Sequence, residues 1–162
     1  MADTAVTIAG SRVIPLSNQE RGCHGYSVAY KVSYSDIAYG TGSTDTVTMT
    51  LGALPAKWVV DKAAVNVTTA FAGTTALAII VGTTTTTNNF IASTSILTAG
   101  LIQPSTGKNT VATIAGSTGT ATKNLVATFT NSTGGSPSAL TAGELFIYVS
   151  VDEPADFGGQ SS

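Results

Sequence analysis

Residues 57–89 read KWVVDKAAVNVTTAFAGTTALAIIVGTTTTTNN. Taken at alternate positions, Val59, Ala63, Val65, Val67, Thr69 and Phe71 fall on one parity, and Asp61 is the single break. Lys62, Ala64, Asn66, Thr68 and Ala70 fall on the other. Successive side chains of a strand point to opposite faces, so this pattern predicts a long strand with one buried and one wetter face. The small residues Ala72-Gly73-Thr74-Thr75 follow, and alternation resumes at Leu77, Ile79 and Val81 with Ala76, Ala78 and Ile80 between them. Two alternating runs joined by a short glycine-containing link predict a β-hairpin. The second run is apolar on both parities, which places it inside a packed sandwich and away from an open edge.

The rest of the composition agrees with a sheet protein. A chain of 162 residues predicts one domain, long enough to bury a core without staples. Hydrophobic residues make up 43%, charged residues only 10%, and threonine supplies 28 positions. Threonine is β-branched and fits a half-buried pleated surface, whereas the common helix formers Glu, Lys, Arg and Gln are scarce. A surface of hydroxyls meets another protein without stripping water from many ions, which suits a permanent assembly as well as it suits plain solvation. Net charge is −2 and the seven basic residues are scattered. Nucleic acid demands several phosphate-neutralising cations on one face, so no nucleic-acid partner is expected.

The single cysteine, Cys23, excludes an intrachain disulfide and fits synthesis in a reducing cytoplasm. The sequence has neither an uninterrupted apolar run of membrane-spanning length nor a signal-peptide pattern at residues 1–10, so no membrane association is expected. The sequons Asn66-Val67-Thr68 and Asn131-Ser132-Thr133 read as chance matches in a threonine-rich chain.

Taken in order, residues 2–9 alternate weakly and suggest a short first strand, whereas residues 10–25 fit no period and read as an extended arm. In residues 26–39, Tyr26, Val28, Tyr30, Val32 and Tyr34 share a parity. Such a tyrosine row suits a sandwich core or an interface better than a ligand platform. Residues 46–51 alternate Val47, Met49 and Leu51 against threonines, and Pro55 ends the run. Trp58 reads as a core or rim anchor. Residues 83–89 form a polar loop, and residues 90–101 read as irregular or a short helical turn. Further short strands are expected at 110–114, 125–130 and 144–151, with a connection over 131–143. The expected division is an arm at 1–25, a β domain at 26–151 and an acidic, then Gly/Ser-rich tail at 152–162. Eight or nine short strands with turn signals and no long helix predict an all-β sandwich or barrel.

Chemistry-bearing residues are sparse. His24, the one histidine, lies beside Cys23 in the patternless stretch, and chain neighbours rarely oppose each other in space. The acids Asp36, Asp45, Asp61, Asp152, Glu153 and Asp156 show no calcium-loop spacing, and there is no Cys/His cluster for zinc. Thr106-Gly107-Lys108-Asn109 ends like a phosphate loop, but Ile102 occupies the upstream glycine position and Asn109 replaces the magnesium-holding hydroxyl. No catalytic residue, metal site or cofactor is expected, and the chain is read as a non-enzyme.

One pattern carries a resemblance. An alternating strand ending in Thr69-Ala70-Phe71, a tight turn, the short strand Leu77 to Val81, then Gly82-Thr83 and a polar loop resembles a pattern recurring in tailed-phage virion proteins. A later strand introduced by Thr141-Ala142-Gly143-Glu144 completes it, so the match covers roughly 45–151. Capsid decoration (cement) proteins are the nearest family. The resemblance implies a single jelly-roll-like antiparallel β-sandwich, often trimeric, bound to the major capsid protein on the outside of the head. There it would lock neighbouring capsomers. Tail, neck or fibre modules involved in adsorption, and glycan-binding sandwich domains, are the alternatives. Residues 10–25 have no counterpart in the pattern and are assigned to capsid contact by inference.

Overall fold

A computed structural model describes residues 3–7, 13–15, 28–38, 46–54, 59–84, 87–103, 123–131 and 136–152. Among these residues ten strands run in chain order: β1 (Asp3–Thr7), β2 (Val13–Pro15), β3 (Val28–Ser33), β4 (Thr46–Leu54), β5 (Val59–Ala72), β6 (Leu77–Thr83), β7 (Ile91–Ser95), β8 (Gly100–Ile102), β9 (Lys123–Asn131) and β10 (Ala142–Asp152). A helical turn among these residues, α1 (Tyr34–Ile37), follows β3, and a 3-10 turn at Pro137–Ala139 precedes β10.

The strands form two five-stranded sheets, ordered β1-β4-β9-β6-β7 and β2-β3-β10-β5-β8. All described pairings are antiparallel except β1 on β4. The chain is an all-β sandwich, as its composition and alternation predict. The pairings β6·β7, β5·β8, β4·β9 and β3·β10 nest inside one another, like a long hairpin folded at its middle. The pairs β5·β10 and β6·β9 then join the ribbon laterally within each sheet.

The inward parity of each sheet supplies one shared core. Met49, Ile79 and Phe129 of the first sheet and Val32, Val65 and Ile147 of the second are fully buried in a single cluster. Each such side chain contributes about 1.5–3 kcal/mol by leaving water. Tyr30 also points inward, and its phenol reaches the opposite sheet, where a Cβ built on Gly52 would lie 3.2 Å from the hydroxyl oxygen. Burial raises the Tyr30 pKa by penalising the phenolate.

The strands β5 and β6 are not a hairpin. They lie in different sheets, and residues 73–76 carry the chain from one to the other. Their apolar parities meet across the core, an arrangement that alternation alone cannot distinguish from side-by-side pairing. The bridge is held by main-chain bonds from Phe71 N to the Ile96 carbonyl (3.2 Å), from Ile96 N to the Leu77 carbonyl (3.1 Å) and from Thr141 N to the Ala72 carbonyl (2.9 Å). Gly73, at φ 102°, makes the bend, and Gly143, at φ 141°, lies flat against the Phe71 ring.

Register shifts explain where the parity of β5 departs from expectation. Lys62 pairs with Ser150 and Val60 with Val151, so Asp61 is an extra residue and Val60 takes the buried position. Two further shifts, on either side of the Glu144·Thr69 pair, turn Thr69 outward while returning Phe71 to the core. Thr69 is therefore exposed, contrary to its predicted inward placement.

Elsewhere the tyrosine row ends early. Strand β3 stops at Ser33 because Asp36, the third residue of α1, accepts hydrogen bonds from the Ser33 N–H and Oγ, both 2.8 Å. This is the returning half of a capping box, and it takes Tyr34 off the strand. Residues 90–101, expected to be irregular or helical, hold β7 and β8. Within the patternless 10–25 stretch, Val13–Pro15 pairs with β3. The strand expected at 110–114, Tyr26, Tyr39, Trp58 and the tail beyond 152 lie outside the described residues.

Candidate functional site

The outward faces of the two sheets differ in chemistry. On the first sheet the outward row of β4 is Thr46, Thr48 and Thr50, opposite Thr130, Thr128 and Val126 of β9. The Thr48 and Thr128 hydroxyls lie 3.3 Å apart and share a hydrogen bond. Hydroxyls dominate this row, but it is not an open surface: Thr46, Thr48, Thr50 and Thr130 are half-buried, and Thr128 and Val126 are buried.

The second sheet is different. The outward parity of β10 reads Glu144, Phe146, Tyr148 and Ser150, the last of them buried, and it alternates with the core residues Leu145, Ile147 and Val149. Because β10 pairs with β3 on one side and β5 on the other, its outward residues sit in the middle of the sheet. One row across four strands is Lys31, Phe146, Asn66 and Leu101, and the next is Ala29, Tyr148 and Ala64. The Phe146 and Tyr148 rings stack with centroids 6.2 Å apart and planes 24° from parallel. Both rings are half-buried. Leu101, on the edge strand β8, is 59% exposed, the most exposed large apolar side chain among the described residues.

Two charges on this face, Lys31 and Glu144, neutralise each other. Lys31 Nζ lies 2.6 Å from Glu144 Oε2 and 5.8 Å from the centroid of Phe146. The Thr68 hydroxyl lies 3.2 Å from both Glu144 Oε1 and the Glu144 carbonyl oxygen, and shares its proton between them. The Lys31 hydrogen bond, supported by that from Thr68, holds the Glu144 carboxyl below its ordinary value against a smaller opposing push from desolvation. A carboxylate held ionised in this way is a poor proton donor near neutral pH, where general acids work best with a pKa close to ambient. The arrangement is suited to contact. It offers an aromatic centre, amide and hydroxyl groups from Asn66 and Thr68, and a paired charge at the rim.

Of the residues weighed for chemistry from the sequence, His24, Cys23 and Asp45 lie outside the described part, as does residues 106–109. Asp36 is buried and serves as the cap of α1. No group of three or more His, Cys, Asp or Glu side chains is gathered for a metal ion among the described residues. No described helix is long and apolar enough to cross a membrane.

The aromatic face was not singled out by reading the sequence. Its signal is present in ELFIYVSV, where Phe146 and Tyr148 occupy the parity opposite Leu145, Ile147 and Val149. Comparison of the chain with protein-family models, with curated proteins and with solved structures finds no match in any of the three.

Proposed function

We propose that this chain is a non-enzymatic structural protein of a phage virion, which binds the outer surface of the capsid as a homo-oligomer and holds neighbouring capsomers together. The sequence pattern over 45–151 suggests the class. The observation that carries the reading is the outward face of the second sheet, with its stacked Phe146 and Tyr148, its exposed Leu101 and its internally neutralised Lys31–Glu144 pair. Protein contacts concentrate aromatic side chains at their centre and leave charge at the rim. An oligomer that engages several capsomers at once gains effective concentration, so each face can bind weakly while the assembly holds firmly. The test is reconstitution on heads that lack the protein. Wild-type protein should bind and raise the temperature at which heads lose their DNA. Phe146→Ala combined with Tyr148→Ala should weaken binding at least tenfold, because two central aromatic contacts are removed. Heads that gain no stability from wild-type protein would end the reading, and imaging of labelled virions would show whether the protein instead sits on the tail or neck.

The same aromatic pair favours one other reading, a glycan-binding sandwich. Pyranose rings stack on aromatic faces, and Asn66, Thr68 and Lys31 could bond their hydroxyls. Retention of the purified protein on immobilised neutral polysaccharides, lost in Phe146→Leu and Tyr148→Leu, would decide for it over capsid binding.

A further inference from the structure

The nested ribbon from β3 to β10 is complete within residues 28–152, and every one of its four ribbon pairs forms without β1 or β2. These two strands are additions, one at the β4 edge of the first sheet and one at the β3 edge of the second. They are separated by only five residues, 8–12, so a single short segment serves both sheets on one side of the sandwich. Their pairing is brief. Strand β1 matches Asp3 to Thr46 through Thr7 to Thr50, five of the nine positions of β4, and is the one parallel strand described. Strand β2 matches three positions and ends at Pro15, which has no N–H to extend the ladder.

Both pairings are registers of main chain on main chain, so the edges of a second copy offer the same bonds. The link from β2 to β3 is residues 16–27, twelve residues, which reach at most about 40 Å when extended. A compact chain of this length has a radius of gyration of about 15 Å and is therefore roughly 40 Å across. The link thus suffices to carry β1 and β2 onto an adjoining copy. An unprotected edge at β4 would invite indiscriminate pairing, so the edge must be covered by one source or the other. Exchange of an identical element costs little in bonds, because each copy gives what it receives.

We infer that β1 and β2 form an exchangeable strap, which in the homo-oligomer pairs with β4 and β3 of a second copy of this chain. The inference rests on the self-association in the proposed function but not on capsid binding, and its test uses purified protein without heads.

In a Cys23→Ser background, chains carrying Ala5→Cys and chains carrying Thr48→Cys are co-expressed and treated with a short bis-maleimide. These two positions are register partners. Exchange predicts a covalent dimer on a denaturing gel. A control pair, Ala5→Cys with Ser95→Cys on the opposite sheet edge, should give none. A chain carrying both Ala5→Cys and Thr48→Cys should then also link between chains. Linking within single chains only, with no dimer from the co-expressed pair, overturns the inference, as does a protein that sediments as a monomer throughout. Deleting residues 1–15 should raise the dissociation constant of the oligomer at least tenfold while thermal unfolding stays cooperative. Unchanged sedimentation of the deleted chain also overturns it, and if that chain does not fold, the cross-linking of the full-length pair decides. An oligomer that cross-links as expected but ignores heads would leave the strap standing and remove the capsid reading.

Discussion

Substituting Gly143 tests the packing at the point where β10 begins. Gly143 has φ 141°, a conformation that side-chain-bearing residues rarely adopt, and holding alanine there costs about 1–3 kcal/mol. A Cβ at this position would also lie 2.8 Å from Cδ2 of Phe71 and closer still to Cγ and Cδ1. Phe71 is almost fully buried, so its ring can retreat only by displacing core neighbours, and removing the ring altogether would cost about 3–5 kcal/mol. Gly143→Ala should therefore combine backbone strain with partial loss of the ring's packing, for a total of about 3–5 kcal/mol. Phe71→Ala alone should cost about the same, by cavity formation. In the double variant the added methyl enters the space that the ring vacated. Only backbone strain then remains from the glycine change, and the two effects should fall short of their sum by about 2 kcal/mol. Urea unfolding followed by far-ultraviolet circular dichroism measures all four corners of this cycle, with the transition midpoint shifting and its slope unchanged. A Gly143→Ala variant within about 0.5 kcal/mol of wild type, or two effects that simply add, would refute the placement of the glycine against the ring.

Asp36→Ala should cost about 1–2 kcal/mol in the same assay, because Ser33 N–H and Oγ lose their common acceptor in a part-buried site. Tyr30 supplies a pH dependence on the alkaline side. Its pKa is raised in the folded state, so the associated stability is complete below the ordinary tyrosine value of about 10 and is lost as pH rises through the folded value. Tyr30→Phe should show a shallower loss of melting temperature than wild type above pH ~10. Glu144 acts with the opposite sense. Its carboxyl is depressed chiefly by Lys31, so the contribution is present above the ordinary carboxylate value and disappears as pH falls through the folded one. The difference in melting temperature between wild type and Glu144→Gln should thus be visible at neutral pH and vanish in acid, and it should also shrink in high salt.

How far the chain can be read from its letters depends on what fixes each feature. The in-or-out sorting of a strand is local, and alternation assigned it correctly at Val47 and Met49, at Val65 and Val67, and at Leu77 and Ile79. The exceptions have identifiable causes. Thr69 turns outward because β5 carries extra residues relative to β10, and nothing in β5 alone tells how many residues its partner will oppose to it. Which sheet a strand joins is equally non-local. Parity in β5 and β6 is satisfied both by pairing side by side and by facing across the core. The outcome is decided by β8 and β10, which take up the edges of β5, and by β7 and β9, which take up those of β6. The end of β3 was closer to legible, since Ser33 and Asp36 stand at the spacing of a helix cap. Alternation through Tyr34 masked that signal.

The candidate face shows the same division between local and distant information. In residues 144–151 both parities carry large apolar side chains, and only Glu144 and Ser150 at the ends of the Phe146 parity mark it within the strand as the outward one. The neighbours of the strand settle the matter. In register with the Phe146 parity stand Lys31 on β3 and Asn66 and Lys62 on β5, groups that resist burial without partners, whereas the Ile147 parity meets Tyr30 and Val65. Burying Phe146 would have required burying Lys31 and Lys62 with it. The aromatic pair is therefore held on the surface by the polar side chains beside it, and those same side chains give the face its hydrogen-bonding rim. Replacing them with apolar residues would remove that constraint on which parity of β10 lies inside, along with the features that suit the face to a partner.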